Sequence, residues 1–378
     1  MIDKSCRSPM RRKAHVLRAL VATSTATLLV LTTLGYSANA APPARTPVAD
    51  ASARQGVYSV SIQMPPRLQW NENYGYCGET AMISAGLYYG QYVSQYDARA
   101  IASNSKPQYK ASSQLLLGMN DTAAAKAMHL TFTEWTPGNG ATASGFLAWV
   151  KGELVKGHPV AIGVYTNEYR FNGSTNPTAG DPDYDHIVVV TGVTSHHPLT
   201  QPAIYYPDDE ITLSDNGLWT GTPSGQPQYA FTYSFAAFQA NRRQANSTTG
   251  NIYSLADANP DYGIAITGVA DSSRETLPVR VFTSANYESP EIKDGSNTRP
   301  KPMPLTLTAT VSDLRPGTTY NLYRYDSAKD VPTSDFNAGR SAAAQSWTFT
   351  ATAQTYTINQ NITSNDEVLY RAVPASES

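Results

Sequence analysis

Cysteine is nearly missing from this 378-residue sequence, which has two, Cys6 and Cys77. A disulfide framework is therefore excluded as the basis of its stability. Charge is scarce too, with 15% Asp, Glu, Lys and Arg. No basic run occurs beyond the first twenty residues, which argues against nucleic acid or an anionic membrane surface as a partner. The one sustained apolar run, Ala19 to Leu34, is short for a membrane span and is broken by Thr and Ser. No tandem repeat, collagen, coiled-coil or low-complexity pattern is present.

What is there begins with a targeting signature. Lys4, Arg7, Arg11, Arg12, Lys13 and Arg18 lead into the apolar run, and Ser37-Ala38-Asn39-Ala40 follows as a small-residue cleavage pattern. A signal peptide over 1–40, cut near Ala40, and a secreted chain with no membrane span are expected. That segment holds six of the 28 Lys and Arg and one of the 30 Asp and Glu, leaving 22 against 29. The mature chain is then acidic and keeps Cys77 alone. An odd thiol outside the cell points to chemistry rather than scaffolding.

Residues 41–56 are Pro- and Ala-rich without periodicity and read as a disordered leader. Beyond a short strand at 57–62, helical spacing appears over 78–92, 113–119, 122–128 and 143–156. The texture then turns to strands at 159–165, 186–193 and 210–213, an α+β layout for a domain over 57–258. From 262 to 374 only strands are predicted, at 263–269, 278–283, 304–312, 319–325, 346–352 and 367–373, as in a β-sandwich. Asn259-Pro260-Asp261 reads as the joint, and residues 57–258 are expected to fold and react without the β-rich part.

Cys77 stands in Tyr74-Gly75-Tyr76-Cys77-Gly78-Glu79-Thr80, where loop gives way to helix. A thiol at a helix N-terminus feels the positive end of the backbone dipole, which favours the reactive thiolate. His186 opens a strand that faces the cysteine helix in this reading, and the next strand ends at Asp215-Asn216. A side-chain oxygen there holds an imidazole in the tautomer a general base needs. Nucleophile, base and orienter thus occur in order.

With these residues in view, the chain resembles the papain-like cysteine peptidase superfamily, and within it the bacteriocin-processing leader peptidases and their stand-alone relatives. The likeness rests on Gln69 ahead of Cys77-Gly78-Glu79-Thr80-Ala81, then Gly157-His158-Pro159-Val160-Ala161-Ile162-Gly163-Val164, then His186-Ile187-Val188-Val189-Val190-Thr191-Gly192-Val193. It covers roughly residues 58–250. The resemblance implies a thiol hydrolase cleaving peptide or protein amides without a cofactor, with Cys77 as nucleophile and His186 as base. It implies Asp215 as orienter, with Asn216 as the alternative. It further implies a glutamine in the oxyanion hole, for which Gln69 is preferred, although papain's own spacing points to Asn71. Glu79 departs from the family, where proline often follows Cys-Gly, and sets a carboxylate near the thiolate. Leu314-Arg315-Pro316-Gly317-Thr318-Thr319-Tyr320 resembles the tyrosine corner of fibronectin type III domains, and the sandwich is then available to bind a partner or surface.

Two rival functions share these residues: acyl transfer of the transglutaminase type, and a silent papain-like fold that only binds. Tyr74 and Tyr76 flank the cysteine and are candidates to line a substrate groove. Packing in the core is the plainer role for them and for Tyr88, Tyr89 and Tyr92. His129 and His158 read as structural. His196-His197 lacks the spacing of a metal site, and no metal is expected. Glycosylation sequons begin at Asn120, Asn172, Asn246 and Asn361.

Overall fold

The computed structural model describes residues 56–70, 72–138, 141–167, 183–217, 229–240, 251–256, 261–288 and 296–375. The expected signal peptide, nearly all of the leader, Asn71, and the sequons at Asn172 and Asn246 lie outside the described residues.

In chain order the first elements are β1 (Tyr58–Ser61), α1 (Cys77–Tyr88), β2 (Gln91–Tyr92), α2 (Gln95–Ser103), α3 (Asp121–Ala127) and β3 (Leu130–Glu134). Then come α4 (Ala143–Val155), β4 (Val160–Thr166), β5 (His186–Ser195), β6 (Glu210–Ser214), β7 (Ala230–Ser234), α5 (Phe235–Ala240), β8 (Tyr253–Leu255) and β9 (Gly263–Val269). The rest is β10 (Val279–Thr283), β11 (Pro304–Val311), β12 (Thr319–Tyr325), β13 (Gln345–Thr350), β14 (Tyr356–Thr363) and β15 (Val368–Pro374). The fold is α+β, with antiparallel strand pairing throughout the paired strands.

An antiparallel sheet in the order β3-β9-β4-β5-β6-β7 forms the middle layer, with β1 on β5 and β8 on β4. Alternation along its central strands separates two cores. Ala161, Tyr165, Ile187, Val189, Ile264 and Ile266 pack on the side of α1, while Val160, Ile162, Val164, Val188, Val190 and Ala265 pack with Phe146, Leu147 and Val150 of α4. Both faces are covered, which explains the nearly unbroken apolar run of β5. Every residue of α1 is buried, as expected of a helix apolar on all sides.

The β-rich half contributes a three-stranded sheet, β10-β11-β14, and a four-stranded sheet, β13-β12-β15-β2. Their inward residues, among them Val281, Leu307, Ala309, Leu322, Tyr370 and Ala372, share one core with Met82 and Leu87 of α1. The Tyr320 hydroxyl accepts the Arg315 N–H at 2.9 Å, tying the strand back to its preceding turn.

Two strands redraw the expected boundary. The 263–269 strand, expected in the unit over 262–374, pairs between β3 and β4 in the middle sheet. Periodicity assigns a strand its faces but not its sheet, and β9 is buried on both faces at Ile264, Ala265 and Ile266. Conversely, Gln91 and Tyr92 pair with Leu369 and Val368 at the edge of the four-stranded sheet. Gly90 makes that crossing fit: its φ is 78°, and a Cβ there would come within 2.9 Å of Val279.

The helix expected over 113–119 does not form. The N–H of Leu115 is taken by the Glu79 carboxylate at 2.9 Å and that of Leu116 by the Asn120 side chain at 2.8 Å, so neither donates along a helix. The Asn120 amide also donates to Ala102 and Gln114 carbonyls, which commits this sequon side chain to the interior. Helix α2 is not among the expected elements; Ser94 caps it by accepting the Asp97 N–H at 3.1 Å.

Candidate active site

Cys77 is the first residue of α1, with Tyr76 at the N-cap position. Gly78 keeps the helix start close to the neighbouring loop, since a Cβ there would fall 2.0 Å from the Leu115 carbonyl oxygen. In the full-length chain, which still carries both cysteines, Cys77 is fully buried and disulfide-bonded.

His186 opens β5, and Asp215 follows directly on β6. Their side chains meet, with His186 Nε2 2.9 Å from Asp215 Oδ1. The carboxylate is fully buried, and its Oδ2 has no partner among the described residues. The imidazole stacks on Tyr253 at 5.7 Å between centroids, a contact no local motif announces. With Nε2 engaged, Nδ1 is the nitrogen left for a proton exchange.

Asn216 does different work. Its Nδ2 donates to the Cys77 carbonyl at 3.0 Å and to the Ile187 carbonyl at 3.2 Å, bridging the start of α1 to the start of β5. Of the two adjacent candidates, Asp215 is the one in contact with the imidazole.

Gln69 joins the same assembly. Its N–H donates to the Asn216 carbonyl at 2.9 Å, and its Oε1 accepts the Tyr76 N–H at 2.8 Å. That bond fixes the amide plane one residue before the cysteine and leaves Nε2 as its donor. Asn71, the alternative, lies outside the described residues.

Glu79 does not face the sulfur as a bare charge. It pairs with Arg99 at 2.6 Å, and both side chains are buried. The Arg99 guanidinium also donates to the carbonyls of Asn73, Gly75 and Gln108 and lies 3.6 Å above the Tyr76 ring. The whole loop before Cys77 is thereby held by a residue one turn into another helix. Nothing in the sequence near Arg99 singles it out; the Ser94–Asp97 cap, which predicts the helix, is the only signal that leads there.

Tyr76 belongs to the core rather than to a groove. It is buried, meets Trp70 edge-on at 5.1 Å, and donates its hydroxyl to Gln108 at 2.9 Å. Burial pushes that hydroxyl up to about 12, against the opposing pull of Arg99. Tyr74, 42% exposed, is the member of the pair that reaches solvent.

The remaining histidines lie apart. His158 Nδ1 meets Glu153 at 2.7 Å, and His197 stacks on Tyr206. Among the described residues no three His, Cys, Asp or Glu side chains are grouped to hold a metal ion, and no helix is long and apolar enough to cross a membrane. Comparison of the chain with protein-family models, with curated proteins and with solved structures returns no match. The arrangement is thus read from its own residues: a cysteine at a helix start, an imidazole held by a carboxylate, and an amide fixed by the residue before the cysteine.

Proposed function

We propose that the protein is a secreted cysteine hydrolase of papain-like architecture that cleaves peptide amide bonds, followed by a fibronectin type III-like sandwich. The observation that carries this reading is the His186–Asp215 contact, joined through Asn216 to the backbone of Cys77. In the reaction, His186 Nδ1 takes the thiol proton and the sulfur attacks the amide carbonyl. The oxyanion is met by Gln69 Nε2 and the Cys77 backbone N–H. The imidazolium then protonates the leaving amine, and water, deprotonated by the same imidazole, releases the acid and restores the thiol. Asp215 holds the imidazole in the productive tautomer throughout. The working form is the thiol, which removal of residues 1–40 together with Cys6 leaves.

The full burial of Cys77 favours a second reading, a silent fold that binds without cleaving. One experiment separates the two. The chain is treated with reductant and then with a thiol-alkylating, peptide-like inhibitor, in parallel with a proteome-derived peptide library. Labelling at Cys77 and cleavage that Cys77→Ala abolishes support hydrolysis. A chain that is folded and reduced, yet neither labels nor cleaves, refutes it. Incorporation of an added primary amine into the peptides moves the assignment to acyl transfer.

A further inference from the structure

The segment carrying Gln69 is held from outside by the β-rich half. The Leu68 N–H donates to the Asn286 carbonyl at 2.8 Å. Arg67, buried, donates to Glu288 Oε1 at 3.0 Å and to Thr283 Oγ1 at 3.2 Å. The second carboxylate oxygen, Glu288 Oε2, accepts the N–H of Gln95 at 2.7 Å, at the start of α2. The Gln95 side chain then straddles Gln69: its Nε2 donates to the Leu68 carbonyl at 3.0 Å and its Oε1 accepts the Trp70 N–H at 2.8 Å. Glu288 is fully buried, and among the described residues each of its two oxygens has one donor.

We propose that Glu288 is a positioning residue for the oxyanion donor, acting from the β-rich half through Arg67 and Gln95 to fix the amide of Gln69. This rests on the reading of Cys77, His186 and Gln69 as a hydrolytic site. Glu288 touches no reacting atom. Its effect reaches the chemistry because Gln69 stabilises charge only if Nε2 is already aimed when that charge develops. The β-rich half then completes the catalytic geometry as well as packing against it.

The test is Glu288→Gln in the full chain under reductant. An amide offers one acceptor where the carboxylate offers two, so one of the two bonds is lost while size is kept. Two quantities are read: kcat and KM on a cleaved peptide, with Gln69 and with Gln69→Ala, and amide hydrogen exchange at residues 68–70. Gln69→Ala is expected to lower kcat by about a hundredfold or more. Glu288→Gln should lower it by about ten- to a hundredfold with KM little changed. In the Gln69→Ala background it should cost nothing further, and exchange at Leu68 and Trp70 should quicken. An equal loss in both backgrounds, or unchanged exchange, overturns the proposal. Faster exchange in a protein whose wild type cleaves nothing supports the positioning contact and refutes the hydrolytic reading, so the two fail separately. Where Glu288→Gln does not fold, Gln95→Leu leaves the Arg67–Glu288 pair in place. It must give the same Gln69-dependent fall in kcat, and its absence overturns the proposal.

Discussion

Arg99 and Glu79 provide the sharpest test of how the cysteine loop is held. Glu79→Leu leaves a buried guanidinium without its carboxylate and the Leu115 N–H without its acceptor. Breaking a buried pair on one side costs about 3–5 kcal/mol. Arg99→Leu leaves a buried carboxylate and strands the carbonyls of Asn73, Gly75 and Gln108, for a cost of similar size. The double replacement removes both charges and retains only the unpaired backbone groups as a penalty. It should therefore cost about 3 kcal/mol less than the two single changes together. Arg99→Lys keeps the charge but loses the planar fork, and with it two or three bonds worth about 1 kcal/mol each. Urea unfolding of the four proteins, compared at a common slope, supplies the numbers. Additivity of the single changes to within about 0.5 kcal/mol would mean that Arg99 and Glu79 are independent and that the clamp on residues 73–76 is misread.

Three further outcomes are expected. Asp215→Ala should lower kcat by about a hundredfold or more with little change in folding, whereas Asn216→Ala should mainly cost stability, about 2 kcal/mol for two lost bonds to buried carbonyls; peptide kinetics beside urea unfolding distinguishes them, and the reverse ranking would exchange their roles. A chain ending at residue 258 should fail to fold, because it lacks β9 from the middle sheet and β15 from beside β2; soluble 57–258 with native-like circular dichroism would contradict the shared core. Burial raises the Asp121 carboxyl to about 6, partly opposed by backbone N–H groups. An acid raised in the folded state destabilises as it ionises, so stability should fall as pH rises from about 4 to 6. Asp121→Asn should flatten that slope and be more stable than wild type by about 2–3 kcal/mol at neutral pH, as read from unfolding at several pH values.

Much of the fold was legible where a pattern is local. The strand from His186 announces itself by an apolar run too long for a half-exposed sheet, and α4 by its helical spacing. The Leu314–Tyr320 string places the tyrosine whose hydroxyl meets the Arg315 N–H. The contact between His186 and Asp215 was legible because a strand opening on a histidine is followed by one ending on a carboxylate. What stayed hidden depends on contacts distant in sequence. β9 carries the same alternation whether it joins one sheet or the other, and a two-residue strand such as β2 has no periodicity at all. Glu79 looked like an opponent of the thiolate because its partner, Arg99, is twenty residues away on a separate helix. The sandwich looked detachable because apolar periodicity shows that a face is buried without showing against what.

The pairing of Tyr92 with Val368 sets an order for the protein's own synthesis. Helix α1 and the cysteine at its head leave the ribosome early, but the strand that closes the sheet beside them begins only at Val368. A chain stopped before residue 368 has Gln91 and Tyr92 with nothing to pair against. Joining such distant segments adds little free energy, because loop closure grows only with the logarithm of length; the cost falls on time instead. The nascent chain must wait with α1 only partly covered, because its neighbours in the β-rich half are made later.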